Sequence, residues 1–271
     1  MNWMQAWSDC MREDGDLPHT APNPFSAGGG PYWCGFIITA SWQTYVNYGD
    51  SRLLERYYPY MKRWLEYVER HSPNGLLKKW PEQTYRNWYL GDWATPTGID
   101  QTDPSSIDVV NNSFIAICYQ TMSKIAQVLG KETDKSHYGQ CYQELIKRIQ
   151  ETFYDAEHKS YSTGTQIDLV YPMLCGATPE NLVPEVEKTL YQVTKERFKG
   201  HLSAGLVGIP VITEWATRNQ KTDFMYNMLK KRDYPGYLYM IDHGATTTWE
   251  HWNGQRSHIH NCYNGIGSWF Y

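Results

Sequence analysis

The chain has no apolar run long enough to cross a bilayer, no block of basic residues and no paired-cysteine motif. A membrane-spanning helix needs about 20 predominantly apolar residues. Nothing here approaches that, and mean hydropathy is −0.63. Lysine and arginine number 25 against 29 aspartates and glutamates, a formal charge of −4, with the two signs interspersed. Without a basic stripe there is no electrostatic footprint for a phosphate backbone, so no nucleic-acid partner is expected. The six cysteines (Cys10, Cys34, Cys118, Cys141, Cys175 and Cys262) form no CxxC pair and show no zinc-type spacing with histidine. Cys118 and Cys141 fall on apolar faces of predicted helices, so buried free thiols are expected, with no metal and no cofactor.

Phenylalanine is scarce too, with 7 residues against 12 Trp and 22 Tyr. Trp and Tyr combine an apolar body with a polar edge, which suits a carbohydrate cleft and also suits cores and interfaces. Long strand runs, heptad seams and low-complexity stretches are missing as well. What is present is helical periodicity almost throughout. Residues 2–13 read as a short helix stopped at Asp14-Gly15, and 18–34 as a Pro/Gly-rich loop. A helix over 35–48 stops at Gly49. Asp50 or Ser51 then caps a long helix with Leu54, Tyr58, Met61, Leu65 and Val68 on one face. After an aperiodic, Trp-rich connection over 72–105, Ile107 to Val128 mark one helix and Tyr138 to Phe153 the next. Thr178-Pro179-Glu180 signals a helix start, and shorter helices fit 166–175, 205–217, 221–231 and 260–271. Tyr237-Leu-Tyr-Met240 reads as a short strand. About ten helices in one domain, residues 1–271, make the fold class all-α.

The chemistry concentrates in Gly244-Ala-Thr-Thr-Thr-Trp249-Glu250-His251-Trp252, followed by Ser257-His258-Ile259-His260. A carboxylate between two indoles suits a polar ring substrate. Indole faces pack on sugar C–H groups and the acid moves protons. The plain alternative makes Trp249 and Trp252 core residues and Glu250 a solvated loop acid. His251 alternates away from Glu250 if the stretch is extended. His243 and His258 are weaker pocket candidates, and the spacing is not that of an HExxH metal pair. Asp92, in Gly91-Asp92-Trp93, is the best internal second carboxylate, its aromatic surroundings able to raise its pKa. The alternative is a loop aspartate that caps a turn.

This segment resembles the inverting α-L-rhamnosidases of glycoside hydrolase family 78. The resemblance extends over Met11-Arg-Glu-Asp-Gly-Asp-Leu-Pro18, Gly28-Gly-Gly-Pro-Tyr-Trp33, Tyr48-Gly-Asp50 with Tyr58-Pro-Tyr-Met61, and Gly91-Asp-Trp93, in that order. It implies an (α/α)6 toroid or barrel and a carbohydrate substrate, a rhamnose-containing glycan or glycoside. It also implies that Glu250 is the general base and that Trp33, Trp93, Trp252 and His260 hold the sugar. The family commonly has Trp-Gly-Asp where this chain has Trp33-Cys34-Gly35, which loses a carboxylate. The family's general-acid motif lies upstream of the part matched by Asp14-Gly15. The barrel is therefore expected to be incomplete, cut at both ends, with the acid outside the chain. The rival readings are a catalytically silent, carbohydrate-binding remnant, or an (α/α)6 glycosidase for another sugar.

Overall fold

A computed structural model describes residues 2–23, 30–81, 88–97 and 103–270. Among these residues there are eleven α-helices, one two-residue β-hairpin and a closing 3-10 turn. Residues Met1–Leu90 with Asn111–Ile149 form one compact unit, and Gly91–Val110 with Gln150–Tyr271 a second.

The first unit holds α1 (Asn2–Asp9), α2 (Pro31–Cys34), α3 (Phe36–Tyr48), α4 (Arg52–Arg70), the end of α5 (Pro104–Val128) and most of α6 (Glu132–Phe153). Helix α3 stops where expected, at Gly49 in the left-handed region. Helix α4 then starts with the Arg52 amide donating to Asp50 Oδ1 at 3.0 Å and Ser51 Oγ donating to Glu55 at 2.6 Å. Its buried stripe of Leu54, Tyr58, Met61, Leu65 and Val68 matches the predicted face, widened by Leu53, Tyr57 and Trp64. Each such side chain contributes roughly 1.5–3 kcal/mol of hydrophobic stabilisation when fully buried. Helix α1 ends earlier than the spacing predicts, and the turn after it needs Gly15. That residue has φ +98°, and a Cβ there would lie 2.6 Å from the Arg63 carbonyl oxygen. Asp16, next to it, is fully buried, and burial pushes its carboxyl up to about 7 against the opposing charge of Arg12. The expected loop over 18–34 ends in a helical turn instead, because Pro31 suits the first position of a helix.

The second unit opens with the start of α5. Tyr154–Asp155 and Ser160–Tyr161 then pair antiparallel as β1 and β2, a hairpin too short for any alternation to announce. Next come α7 (Gln166–Cys175), α8 (Val183–Glu196), α9 (Gly208–Arg218), α10 (Thr222–Leu229), α11 (Tyr237–Asp242) and the 3-10 turn Asn264–Phe270. Helix α7 packs on α8 and α9, and α9 packs on α10 and the 3-10 turn. Helix α8 begins after the Thr178-Pro179-Glu180 signal, because the Leu182 amide closes a turn onto the Pro179 carbonyl at 2.8 Å. The expected strand at 237–240 is α11. Its alternation was misleading, since only Met240 is buried.

Residues 203–208 connect α7 to everything that matters later. Gln166 is fully buried, and its Oε1 accepts from the Ser203 amide at 2.8 Å. The next residues turn their main chain onto the 92–93 segment. The Leu206 amide donates to the Trp93 carbonyl at 2.8 Å, so close that a Cβ on Gly205 would lie 1.8 Å from that oxygen. We expect Gly205→Ala to cost about 3 kcal/mol in urea denaturation, the upper end of overpacking penalties. Gly139→Ala, in the interior of α6 with only an ordinary 3.6 Å neighbour, should be neutral or stabilising. Equal effects of the two changes would refute the close approach.

Candidate active site

The Thr-Thr-x-Trp-Glu segment lies in an irregular loop that the main chain closes on itself. The Glu250 amide donates to the Ser257 carbonyl at 2.8 Å and the His260 amide to the Thr248 carbonyl at 3.0 Å. Thr248 Oγ1 donates to the His260 carbonyl at 2.6 Å, and Thr247 Oγ1 to the His258 carbonyl at 2.6 Å. Gly254 and Arg256 both take positive φ, which turns the loop tip back over Glu250.

Glu250 is thereby held by its backbone, with its side chain 14% exposed. Its Oε2 accepts from the Ser257 amide at 3.2 Å. Its Oε1 lies 3.6 Å from Arg256 Nη1 and 3.9 Å from His251 Nε2, short of hydrogen-bond contact with either. The Arg256 guanidinium also sits 5.6 Å over the Trp93 ring, so one cation lies between an indole face and the carboxylate. One oxygen tethered and one left to accept, beside a fixed cation, is the arrangement a proton-accepting carboxylate needs.

His251 faces Glu250, contrary to the extended-chain expectation, because residues 250–253 form bends and turns rather than a strand. It is 5% exposed, and its Nε2 is a buried nitrogen without a hydrogen-bond partner. Burial lowers its pKa, with the Glu250 charge opposing and Arg256 and His260 adding to the shift, so the imidazole is neutral near pH 7. Its ring lies 6.3 Å from that of Trp93. Together with Thr95, Tyr234 and Gln255 it lines a cavity of about 250 Å³. Arg256 was not singled out from sequence, and His251 was read as facing away from Glu250. Asn253-Gly254, a turn dipeptide, was the one signal that Arg256 returns to Glu250.

Trp252 requires a correction. It is 1% exposed, its Nε1 donates to the Ala204 carbonyl at 2.9 Å, and its ring stacks on Tyr263 at 4.1 Å with Tyr237 edge-on at 5.2 Å. No face is left for a sugar, so Trp252 anchors the loop to residues 203–208. Trp249 is also buried, stacked on His258. The core reading therefore holds for both indoles, and the solvated-acid reading fails for Glu250.

For Asp92 the capping alternative holds, and its reading as a second catalytic carboxylate is corrected. It is fully buried, and both oxygens are engaged at the N-terminus of α9. Oδ2 accepts from the Gly205 amide at 2.7 Å, and Oδ1 from the Val207 and Gly208 amides at 2.9 and 3.0 Å. Burial pushes its carboxyl up to about 6 against these three donors. A carboxylate so enclosed has no route to a substrate oxygen and caps the helix, favoured there by the backbone dipoles.

Trp93 is half-buried, with one face under Arg256. It is followed by Ala94 at φ +59°, a left-handed strain of order 1 kcal/mol that the Tyr263 hydroxyl pins through the Ala94 carbonyl at 2.8 Å. His260 is half-buried, and its Nδ1 accepts from the Cys262 amide at 3.0 Å, leaving Nε2 as the outward nitrogen. Cys262 is pushed up to about 12, first by burial and then by the charges of Glu250 and Asp92. His243 and His258 are exposed and bound to the Tyr239 and Gly254 carbonyls. Trp33 belongs to the first unit, half-buried in α2 and edge-on to Tyr32 at 5.8 Å.

The model of the bacterial alpha-L-rhamnosidase 6 hairpin glycosidase domain matches residues 1–271. The chain belongs to this family. A solved alpha-L-rhamnosidase from Dictyoglumus thermophilum superposes with a TM-score of 0.89 at 28% identity, over 99% of this chain and 30% of that one. The Streptomyces avermitilis alpha-L-rhamnosidase, solved in complex with L-rhamnose, gives 0.84 at 26% identity, over 99% of this chain and 26% of that one. A curated alpha-L-rhamnosidase from Formosa agariphila is 26% identical over 100% of this chain and 30% of its own length. The chain thus spans about a third or less of the rhamnosidases it matches. Family membership fixes the fold class as the all-α fold of six-hairpin glycosidases, as the resemblance implied.

Proposed function

We propose that the second unit carries the water-activating part of an inverting α-L-rhamnosidase, with Glu250 as the general base. The single observation that carries this is Glu250 itself. One of its oxygens is tethered to the Ser257 amide, while the other is left to accept between Arg256 and the unpartnered Nε2 of His251. A water held by Oε1 and His251 Nε2 would give its proton to the carboxylate as its oxygen attacks the anomeric carbon. The leaving glycosidic oxygen then needs an acid on the opposite side. Inversion places two such carboxyl groups about 6.5–9.5 Å apart, and the enclosed Asp92 is not that acid. Trp93 and His260 serve as sugar contacts in the second unit, and Trp33 serves as a sugar contact carried by the first, the indoles suiting the C–H face and the methyl group of a 6-deoxy sugar. The 271 residues act as one catalytic domain, a reading supported by the family match over their full extent.

Proton NMR of an aryl α-L-rhamnoside during early turnover tests this. β-L-Rhamnose is expected as the first product, converting later to the α anomer. α-L-Rhamnose formed first would mean retention and would end the general-base assignment. The commitment of Asp92 to three amides favours one second reading, a unit that binds rhamnose without cleaving it. Calorimetric binding of L-rhamnose with no anomer released would select that reading.

A further inference from the structure

Three potential metal ligands of different chemistry meet between two helices of the first unit. Glu69 lies on α4. His137 and Cys141 are four residues apart on α6, so they share one helix face. Glu69 Oε1 is 3.8 Å from His137 Nε2, Cys141 Sγ is 3.8 Å from that same nitrogen, and Sγ is 4.0 Å from Oε1. A point equidistant from the three lies about 2.2 Å from each, within a few tenths of an ångström of zinc's bonds to thiolate, imidazole and carboxylate. The Tyr119 hydroxyl donates to Glu69 Oε1 at 3.2 Å, an outer-sphere contact of the kind that orients a ligating carboxylate.

We propose that Glu69, His137 and Cys141 bind a divalent, thiophilic cation of the zinc class, leaving a fourth position open. This departs from the sequence reading, which expected no metal and took Cys141 as a buried thiol. The structure leaves Cys141 half-exposed beside His137. Glu69 and Cys141 line a cavity of about 210 Å³ with Glu144 and Arg148, giving the ion a path in and room for a water. Binding replaces the S–H bond by a metal–sulfur bond and releases that proton to solvent. The ion would bridge α4 and α6 and so stabilise the first unit.

Cobalt(II), which gives a thiolate charge-transfer band, is the probe for the chelator-treated 271-residue chain. One equivalent should produce the band, and zinc should abolish it by displacement. Cys141→Ser should remove it and weaken binding at least about 100-fold, with His137→Ala and Glu69→Gln also weakening it. Cys141→His should keep zinc-induced thermal stabilisation while losing the band, which separates lost ligation from lost folding. Cys10→Ser, at another half-exposed thiol, should change nothing. No band, a band surviving in Cys141→Ser or dependent on Cys10, or equally weak binding in wild type and Cys141→Ser, would overturn the site.

Discussion

Glu250→Gln should lower kcat on an aryl α-L-rhamnoside by about 10²–10⁴-fold, the usual worth of general-base help, while leaving KM within a few-fold. That corresponds to about 3–5 kcal/mol of transition-state stabilisation. The amide preserves volume and can still accept from the Ser257 amide with its oxygen. Its NH2 then points where Oε1 stood, a donor facing the Arg256 cation. The variant therefore removes the proton acceptor and spoils the local charge balance without opening a cavity. An aryl leaving group needs little protonation, so the measurement isolates the water side of the reaction. Glu250→Ala should regain turnover with added azide and give the β-configured rhamnosyl azide, because a small anion needs no base. A Glu250→Gln variant within about threefold of wild type would sink the assignment. These measurements are made on this chain and on longer proteins that carry it.

Asp92→Asn should unfold the protein more easily by about 2–3 kcal/mol at pH 7, the cost of a buried donor facing another donor. Its amide NH2 would confront either the Gly205 amide or the Val207 and Gly208 pair. The pH dependence has a definite sign. Asp92 has a folded-state pKa of about 6, above the ordinary 3.8. The native state therefore holds this proton more tightly than the unfolded chain does. The resulting stability is fully present below about pH 4 and is lost as pH rises through 6. Asparagine does not titrate, so the deficit of the variant should be larger at pH 4 than at pH 7. Urea denaturation at both pH values checks this, and a deficit independent of pH would contradict the raised pKa. A capping role also predicts that the folded fraction keeps the wild-type pH–rate profile. Loss of the basic limb of that profile would restore Asp92 as the acid.

Much of the fold was legible because amphipathic helices advertise themselves. The α4 stripe from Leu54 to Val68 repeats at helical spacing, and Gly49 marks the end of α3 by a conformation that few other residues adopt without strain. The segment 237–240 was not legible, since four residues alternating in size carry no period long enough to separate strand from helix. Within the candidate site, Glu250 could be singled out as a carboxylate between two indoles. The same indoles misled at Trp252, whose ring is used up by Tyr263, Tyr237 and the Ala204 carbonyl. An aromatic beside an acid reads the same in sequence whether its face meets a ligand or another ring. His251 was misplaced because side-chain direction follows backbone conformation, and a loop has no period. Asp92 looked like chemistry because its partners are amides of residues 205–208, which leave no side-chain signature.

That anchoring by residues 203–208 also bears on how the domain can diverge. The bonds to Asp92, Trp93 and Trp252 all come from main-chain groups of 204–208. Drift can therefore exchange one small apolar residue for another at Ala204 or Val207 and leave every one of those bonds intact. Only Gly205, pressed against the Trp93 carbonyl, and Gly208, whose Cβ would lie 2.6 Å from the Asp92 carboxylate, are barred from gaining a side chain. Two glycines three positions apart and one distant aspartate thus carry the heritable specification of this corner, while Val207 between them need only stay small and apolar.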